Sequence, residues 1–134
     1  MTARINRKKL INTIINCIFC VSVTIILLSA ISIYKDGTPS ILGYRILRVA
    51  SASMEPTLMT GDFVLAKIVK KPSDIEEGDI VTYLGKEKLH TITHRVIDIS
   101  DEGYTFKGDN NPSKDSEVVP YDRLLYKVIL CNTK

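Results

Sequence analysis

Three kinds of side chain in this sequence could do polar chemistry together, although they lie far apart along the chain. Ser51 and Ser53 flank an alanine in SASMEP, residues 51 to 56. His90 and His94 fall in LHTITHRVID, and Asp109 and Asp115 share the loop GDNNPSKD. A serine activated by a histidine, with a carboxylate orienting the histidine, is the arrangement that drives acyl transfer and hydrolysis. Such a triad is defined by geometry, so the order Ser53, His94, then Asp109 or Asp115 is permitted. Small neighbours let another backbone approach Ser53, and Pro56 holds Glu55 extended, which makes a turn able to present a hydroxyl. Serine, proline and a Gly-Asp-Asn-Asn run also mark ordinary turns, so spacing alone leaves the bland reading open.

A metal is a poorer explanation of the histidines. His90 and His94 are spaced as H-x-x-x-H, but the zinc-protease motif needs a glutamate after the first histidine and a helix under both. Thr91, Ile92 and Thr93 intervene instead, and three β-branched residues in a row favour a strand. The chain has no third histidine, and no cysteine is near enough in sequence to complete a zinc set. No metal and no cofactor are expected. Cys17 and Cys20 read as C-x-x-C but fall inside an apolar run, where they are small packing residues. Cys131 is alone near the C-terminus, and no disulfide framework follows.

These groups need a scaffold, and 134 residues allow one modest domain. Part of that length is unavailable for it. No charged residue occurs from Leu10 to Tyr34, a run long enough as a helix to cross a hydrocarbon core of roughly 30 Å. Arg4, Arg7, Lys8 and Lys9 precede it, while Lys35 and Asp36 nearly cancel after it. The positive-inside bias then puts the N-terminus in the cytoplasm and the body outside. The run exceeds the apolar region of a cleavable signal peptide, so an uncleaved, single-pass anchor in the cell membrane is expected. The net charge of +3 owes much to this N-terminal cluster. No basic stripe with interleaved aromatics argues for nucleic acid.

The remainder reads as β. KDGTPSILG looks like a linker. Strands are expected over 44–50, 61–69, 80–84, 89–100, 103–108 and 121–131, separated by turn-rich stretches such as KPSDIEEGD, SDEG and GDNNPSKD. Short, closely spaced strands predict a mostly β fold, a small and mainly antiparallel barrel or sandwich behind one transmembrane helix. The expected organisation is a basic N-terminus at 1–9, an anchor at 10–34 and an extracytoplasmic β domain at 35–134. Met54 is expected to plug the core, and Tyr83 and Tyr104 to be sheet residues.

The motifs SASMEPTL with TGDFV, then GDIVTY, THRVID and KGDNNPSKD, occur in the order, and behind the anchor, of the type I signal peptidases. The sequence resembles the ER/archaeal branch of that family, also found in some Gram-positive bacteria, over roughly residues 44 to 128. The resemblance implies a serine endopeptidase that removes signal peptides from secreted preproteins after small residues at −3 and −1, next to the translocon and the lipid bilayer. It gives Ser53 the nucleophile's role and His94 the base's. Relatives with a Ser–Lys dyad carry lysine where His94 stands. Asp109 and Asp115 match the family's two acidic positions, with Asp115 favoured as the catalytic partner and Asp109 as support. Ser51 matches a hydroxyl that helps bind the oxyanion. Two departures stand out. Ala52 replaces the common glycine, which is tolerated only at negative φ. Some relatives also carry a C-terminal span, for which LLYKVILC is too short. Rival readings are an inactive, anchored β-domain that only binds peptides or partner proteins, and a self-cleaving repressor-type protease on the same architecture.

Overall fold

The structure, a computed structural model, describes residues 7–36, 40–87 and 89–131. Arg4 of the basic flank and Gly37 and Pro39 of the expected linker lie outside the described residues. The chain divides into two units, residues 1–43 and 44–134.

The first unit is built on one helix, α1 (Arg7–Asp36). Its Ile, Leu, Val and Phe side chains are exposed around the whole circumference, so it has no polar face to turn to water. Residues Arg7–Tyr34 are long and apolar enough to cross a membrane. The few hydroxyls fit an apolar surrounding. Thr13, Ser22 and Thr24 each donate to the carbonyl four residues back, at 2.9 Å, so their O–H groups are satisfied inside the helix.

The second unit is a single antiparallel sheet of β1 (Tyr44–Arg48), β2 (Phe63–Ile68), β3 (Ile80–Leu84), β4 (Thr91–Ser100), β5 (Gly103–Lys107), β6 (Val118–Val119) and β7 (Leu124–Cys131). The strand order is β1-β2-β7-β3-β4-β5-β6, and the mostly β, antiparallel class read from the sequence holds. Four of the five residues of β3 are buried. This is the signature of a strand covered on both faces. Within it Thr82 shares a hydrogen bond with Thr93 across the ladder at 2.8 Å. Differences from the sequence reading sit at element ends. Gly61 and Asp62 form the turn into β2 rather than its start. The expected strand at 121–131 opens with a 3-10 turn, Tyr121–Arg123. There Arg123 is drawn aside to the Leu84 carbonyl at 2.8 Å and to Glu117 at 2.7 Å. The two-residue β6 was too short to leave a sequence pattern.

Two Gly-Asp turns are built alike. Gly61 and Gly78 have φ of +96° and +91°, a region open to glycine at little cost. The aspartate after each then accepts from an amide three residues earlier, Met59 N–H at 3.0 Å and Glu76 N–H at 2.7 Å. The second turn is fastened to β4 in both directions. Gly78 N–H donates to the Val96 carbonyl, and Val96 N–H to the Asp79 carbonyl, each at 2.8 Å.

Two clusters make the core. Ile75, Val81, Tyr83, Val96, Tyr104, Phe106, Val119 and Leu124 form the larger. Met54, Leu58, Val64 and Ile80 form the smaller. Met54 and Leu58, at 2% and 1% exposed, plug the segment that follows β1 into the sheet. Each buried side chain of this size contributes about 1.5–3 kcal/mol, so that segment is anchored directly after Ser53 and again at Leu58.

Three stretches of strand edge are left open among the described residues, at β1, at β6 and within β4. β1 ends the sheet. β4 pairs with β3 through Thr91–Arg95 but with β5 only from Arg95 onward. The other edge of Thr91–His94 therefore has no strand partner among the described residues.

Candidate active site

Ser53 sits in a 3-10 turn, Ala52–Met54, with Ser51 at its N-cap. The turn follows from its neighbours: Met54 is pulled into the core, and Glu55 is extended at φ −66°, ψ 145° before Pro56. Leu42 is the one non-glycine residue with positive φ among those described. Ala52 therefore has negative φ, and alanine stands in the glycine position without strain.

His94 lies on β4 opposite Val81 and is 7% exposed. Its Nε2 is 3.2 Å from Ser53 Oγ, and its Nδ1 is 2.8 Å from Asp115 Oδ2. With Nδ1 protonated toward Asp115, Nε2 is the acceptor for the serine hydroxyl. That tautomer follows from the hydrogen-bond network. Asp115 is fixed by its own backbone, whose N–H donates to the Phe106 carbonyl at 2.8 Å. Ser51 Oγ lies 3.3 Å from Ser53 Oγ. In chemical terms the chain Ser53–His94–Asp115 can move a proton from a hydroxyl to an imidazole that a carboxylate orients.

Asp109 is turned elsewhere. Arg95 grips it with two nitrogens, Nε at 2.9 Å and a terminal nitrogen at 2.6 Å, and Thr57 Oγ1 donates to it at 2.6 Å. The Arg95 guanidinium, with help from Thr57, holds the Asp109 carboxyl below the usual carboxylate range. Alternation along β4 explains the division of labour: adjacent residues point to opposite faces, so His94 meets one acid and Arg95 the other. Arg95 also donates to the Gly78 carbonyl at 2.7 Å, which ties the Asp109 loop to the second Gly-Asp turn.

The loop carrying both acids is stitched to the serine turn. Asn110 N–H donates to the Ser53 carbonyl at 2.9 Å, and its side-chain amide donates to the Ala52 carbonyl at 3.1 Å. Gly108 permits this approach, since a Cβ there would stand 2.6 Å from the Ser53 carbonyl oxygen and 2.7 Å from the Asn111 amide. The first of these is backbone and cannot swing away. Gly108→Ala should therefore push the loop off the serine turn at a cost of about 1–3 kcal/mol. Chemical denaturation of the purified variant checks this, and an unchanged midpoint would contradict it.

A cleft of about 370 Å³ opens beside these groups, with Leu47, Val49, Ile92 and Thr93 among its lining together with Ser53 and His94. It is bordered by β1 and by the unpaired part of β4. Reading the sequence did not find Arg95, Thr57 or Asn110, nor a role for Tyr83 beyond the sheet. Tyr83 donates to Asp115 Oδ2 at 2.6 Å. The signal available was their place inside or beside the motif blocks THRVID, SASMEPTL, KGDNN and GDIVTY. No metal-binding group of three or more His, Cys, Asp or Glu occurs among the described residues.

The family described as "Signal peptidase, peptidase S26" matches residues 15–100, a stretch that includes Ser53 and His94 and stops before the acid-bearing loop. The chain is similar to Signal peptidase I W of Bacillus subtilis (strain 168), at 34% identity over 83% of this chain and 60% of that protein. It is also similar to the signal peptidase complex catalytic subunit sec11 of Pyrenophora tritici-repentis, at 32% identity over 83% of this chain and 63% of that one. The chain thus spans about three fifths of the length of these curated relatives.

Proposed function

We propose that this chain, which belongs to the signal peptidase family (peptidase S26), is a membrane-anchored serine endopeptidase that removes N-terminal signal peptides from secreted preproteins. The observation that carries the reading is the unbroken chain Ser53 Oγ–His94 Nε2 at 3.2 Å and His94 Nδ1–Asp115 Oδ2 at 2.8 Å, beside a cleft with open strand edges.

The reaction follows from that chain. A peptide lying extended in the cleft makes main-chain hydrogen bonds to the free edge of β1 or of Thr91–His94. Ser53 Oγ attacks the scissile carbonyl carbon as His94 Nε2 takes the hydroxyl proton, and Asp115 stabilises the imidazolium formed. The Ser53 N–H and the Ser51 hydroxyl stabilise the oxyanion of the tetrahedral intermediate. One such donor is worth about 10²–10³ in rate. His94 then gives its proton to the leaving amine, and water, deprotonated by His94 in turn, releases the acyl-enzyme. Asp109 supports the site by holding its loop through Arg95.

Helix α1 is the anchor in this reading, with the N-terminus cytoplasmic and residues 35–134 outside, where signal peptides emerge from the translocon. The lipid bilayer and the preprotein are the partners. Its apolar circumference and internally satisfied hydroxyls support the assignment, because hydrocarbon offers no polar partner.

The test is cleavage of a preprotein by the full chain in lipid vesicles. With alanine at −3 and −1, the product should begin at the residue after the small −1 position. Leucine at −1 should lower kcat/KM by at least about tenfold, the scale of a few methylenes that a shallow pocket cannot accept. Cleavage indifferent to the −1 residue, or none at all, would sink the reading.

A further inference from the structure

Asp115 receives two hydrogen bonds on one oxygen. His94 Nδ1 is 2.8 Å from Oδ2, and the Tyr83 hydroxyl donates to the same atom at 2.6 Å. Tyr83 has no freedom to do otherwise. It is 0% exposed, and its ring stacks on Phe106 with centroids 4.4 Å apart. Phe106 is also the residue whose carbonyl accepts the Asp115 N–H at 2.8 Å. The carboxylate is thus held by its backbone from one side and by a buried phenol from the other.

We propose that Tyr83 is a positioning residue that fixes the Asp115 carboxylate and, by sharing its Oδ2 with His94, tempers the basicity of the imidazole. This rests on the peptidase reading for its meaning but not for its test.

The shared oxygen couples the phenol to the imidazole. A hydroxyl that donates to a carboxylate takes up part of its negative charge. Less charge then remains to stabilise the imidazolium, so the hydroxyl keeps the base closer to the neutral form that can accept the serine proton. Burial first, then the facing carboxylate, push the Tyr83 phenol above its ordinary range, so it remains a donor wherever the enzyme works. The other charged groups around this chain of bonds are accounted for. Glu117 and Arg123 face Tyr83 and pair with each other at 2.7 Å. Asp109 is occupied by Arg95 at 2.6 Å. At His94 Nδ1 the bonded carboxylate is Asp115, and the group that shares its oxygen is Tyr83.

Tyr83→Phe deletes the hydroxyl and keeps the ring that stacks on Phe106. Because the freed carboxylate carries its full charge toward His94, the imidazolium is favoured and the His94 titration midpoint should rise. The midpoint is read from the His94 ring-proton resonance of the full chain in detergent, assigned with His90→Gln, and needs no substrate. In parallel, kcat should fall about ten- to a hundredfold, because a carboxylate no longer held in place orients the imidazole less well. KM should hold, and the acid limb of the pH profile should move to higher pH. A merely structural tyrosine would leave both midpoint and limb in place. A ring-fluorinated tyrosine in place of Tyr83 is a stronger donor and should move the midpoint down, which keeps the test alive should the phenylalanine variant not fold. An unchanged midpoint in a folded variant of either kind overturns the proposal, whatever the rate does. Shifted midpoints without preprotein cleavage by the unsubstituted chain would uphold the role of Tyr83 and remove the peptidase reading instead.

Discussion

Ser53→Ala should give a folded protein that no longer cleaves preprotein, with kcat lower by on the order of a millionfold. That is the scale reached when a serine nucleophile is deleted from a working triad. The size of the effect comes from chemistry rather than stability. Ser53 is half-buried, and its hydroxyl lies 3.2 Å from His94 Nε2 and 3.3 Å from Ser51 Oγ. Its loss should change folding stability by no more than about 1 kcal/mol. The turn keeps its shape because Met54, Leu58 and the Asn110 bonds to the Ala52 and Ser53 carbonyls hold it. Single-turnover kinetics with a purified preprotein, alongside a denaturation curve, separate the two contributions. Turnover at the unsubstituted rate would end the serine mechanism.

The next largest expected effect separates the two acids. Asp115→Asn should lower kcat by about 10⁴, because the amide keeps the shape but removes the charge that stabilises the imidazolium and selects its tautomer. Asp109→Asn should act mainly on structure. It breaks a two-pronged contact with Arg95, whose side chain is 31% exposed, so solvent screening limits the loss to about 1 kcal/mol of stability. The residual rate should stay well above that of the Asp115 variant. Measuring kcat and the unfolding midpoint for both variants decides it. If Asp109→Asn were dead while Asp115→Asn worked normally, the assignment of the two carboxylates here would be reversed.

The fold was legible where the side chains follow a simple period. IVTYL and TITHRVIDIS carry β-branched residues in the density that a buried ladder needs, and both became strands at or within two residues of the expected ends. The uncharged run to Tyr34 became one helix for the equally simple reason that nothing in it interrupts a helix. Less was legible wherever the outcome depended on contacts distant in sequence. Tyr83 looks like any sheet aromatic until β3 and the acid loop are side by side, since nothing local says that its hydroxyl will face Asp115, 32 residues later. Arg95 belongs to the same blind spot, because its preference for Asp109 depends on the turn that Gly108 allows. The residues proposed for chemistry could be named from motifs, while those that aim them required the assembled sheet.

The strand order has a consequence for how the protein comes into being. β7 emerges after every other described strand, yet it is inserted between β2 and β3 in the middle of the sheet. Before it arrives, β1 and β2, which bracket the Ser53 turn, have no sheet connection to β3, β4 and β5, which carry His94 and the acid loop. Pairings this far apart in sequence are slow to form and are rewarded only after the connecting chain has been ordered. During synthesis Ser53 and His94 therefore belong to two unfinished groups of strands, and a ribosome-bound chain lacking residues 124–131 holds Ser53, His94 and Asp115 without the sheet that brings them together. On the peptidase reading, insertion of β7 is then the step that assembles the site.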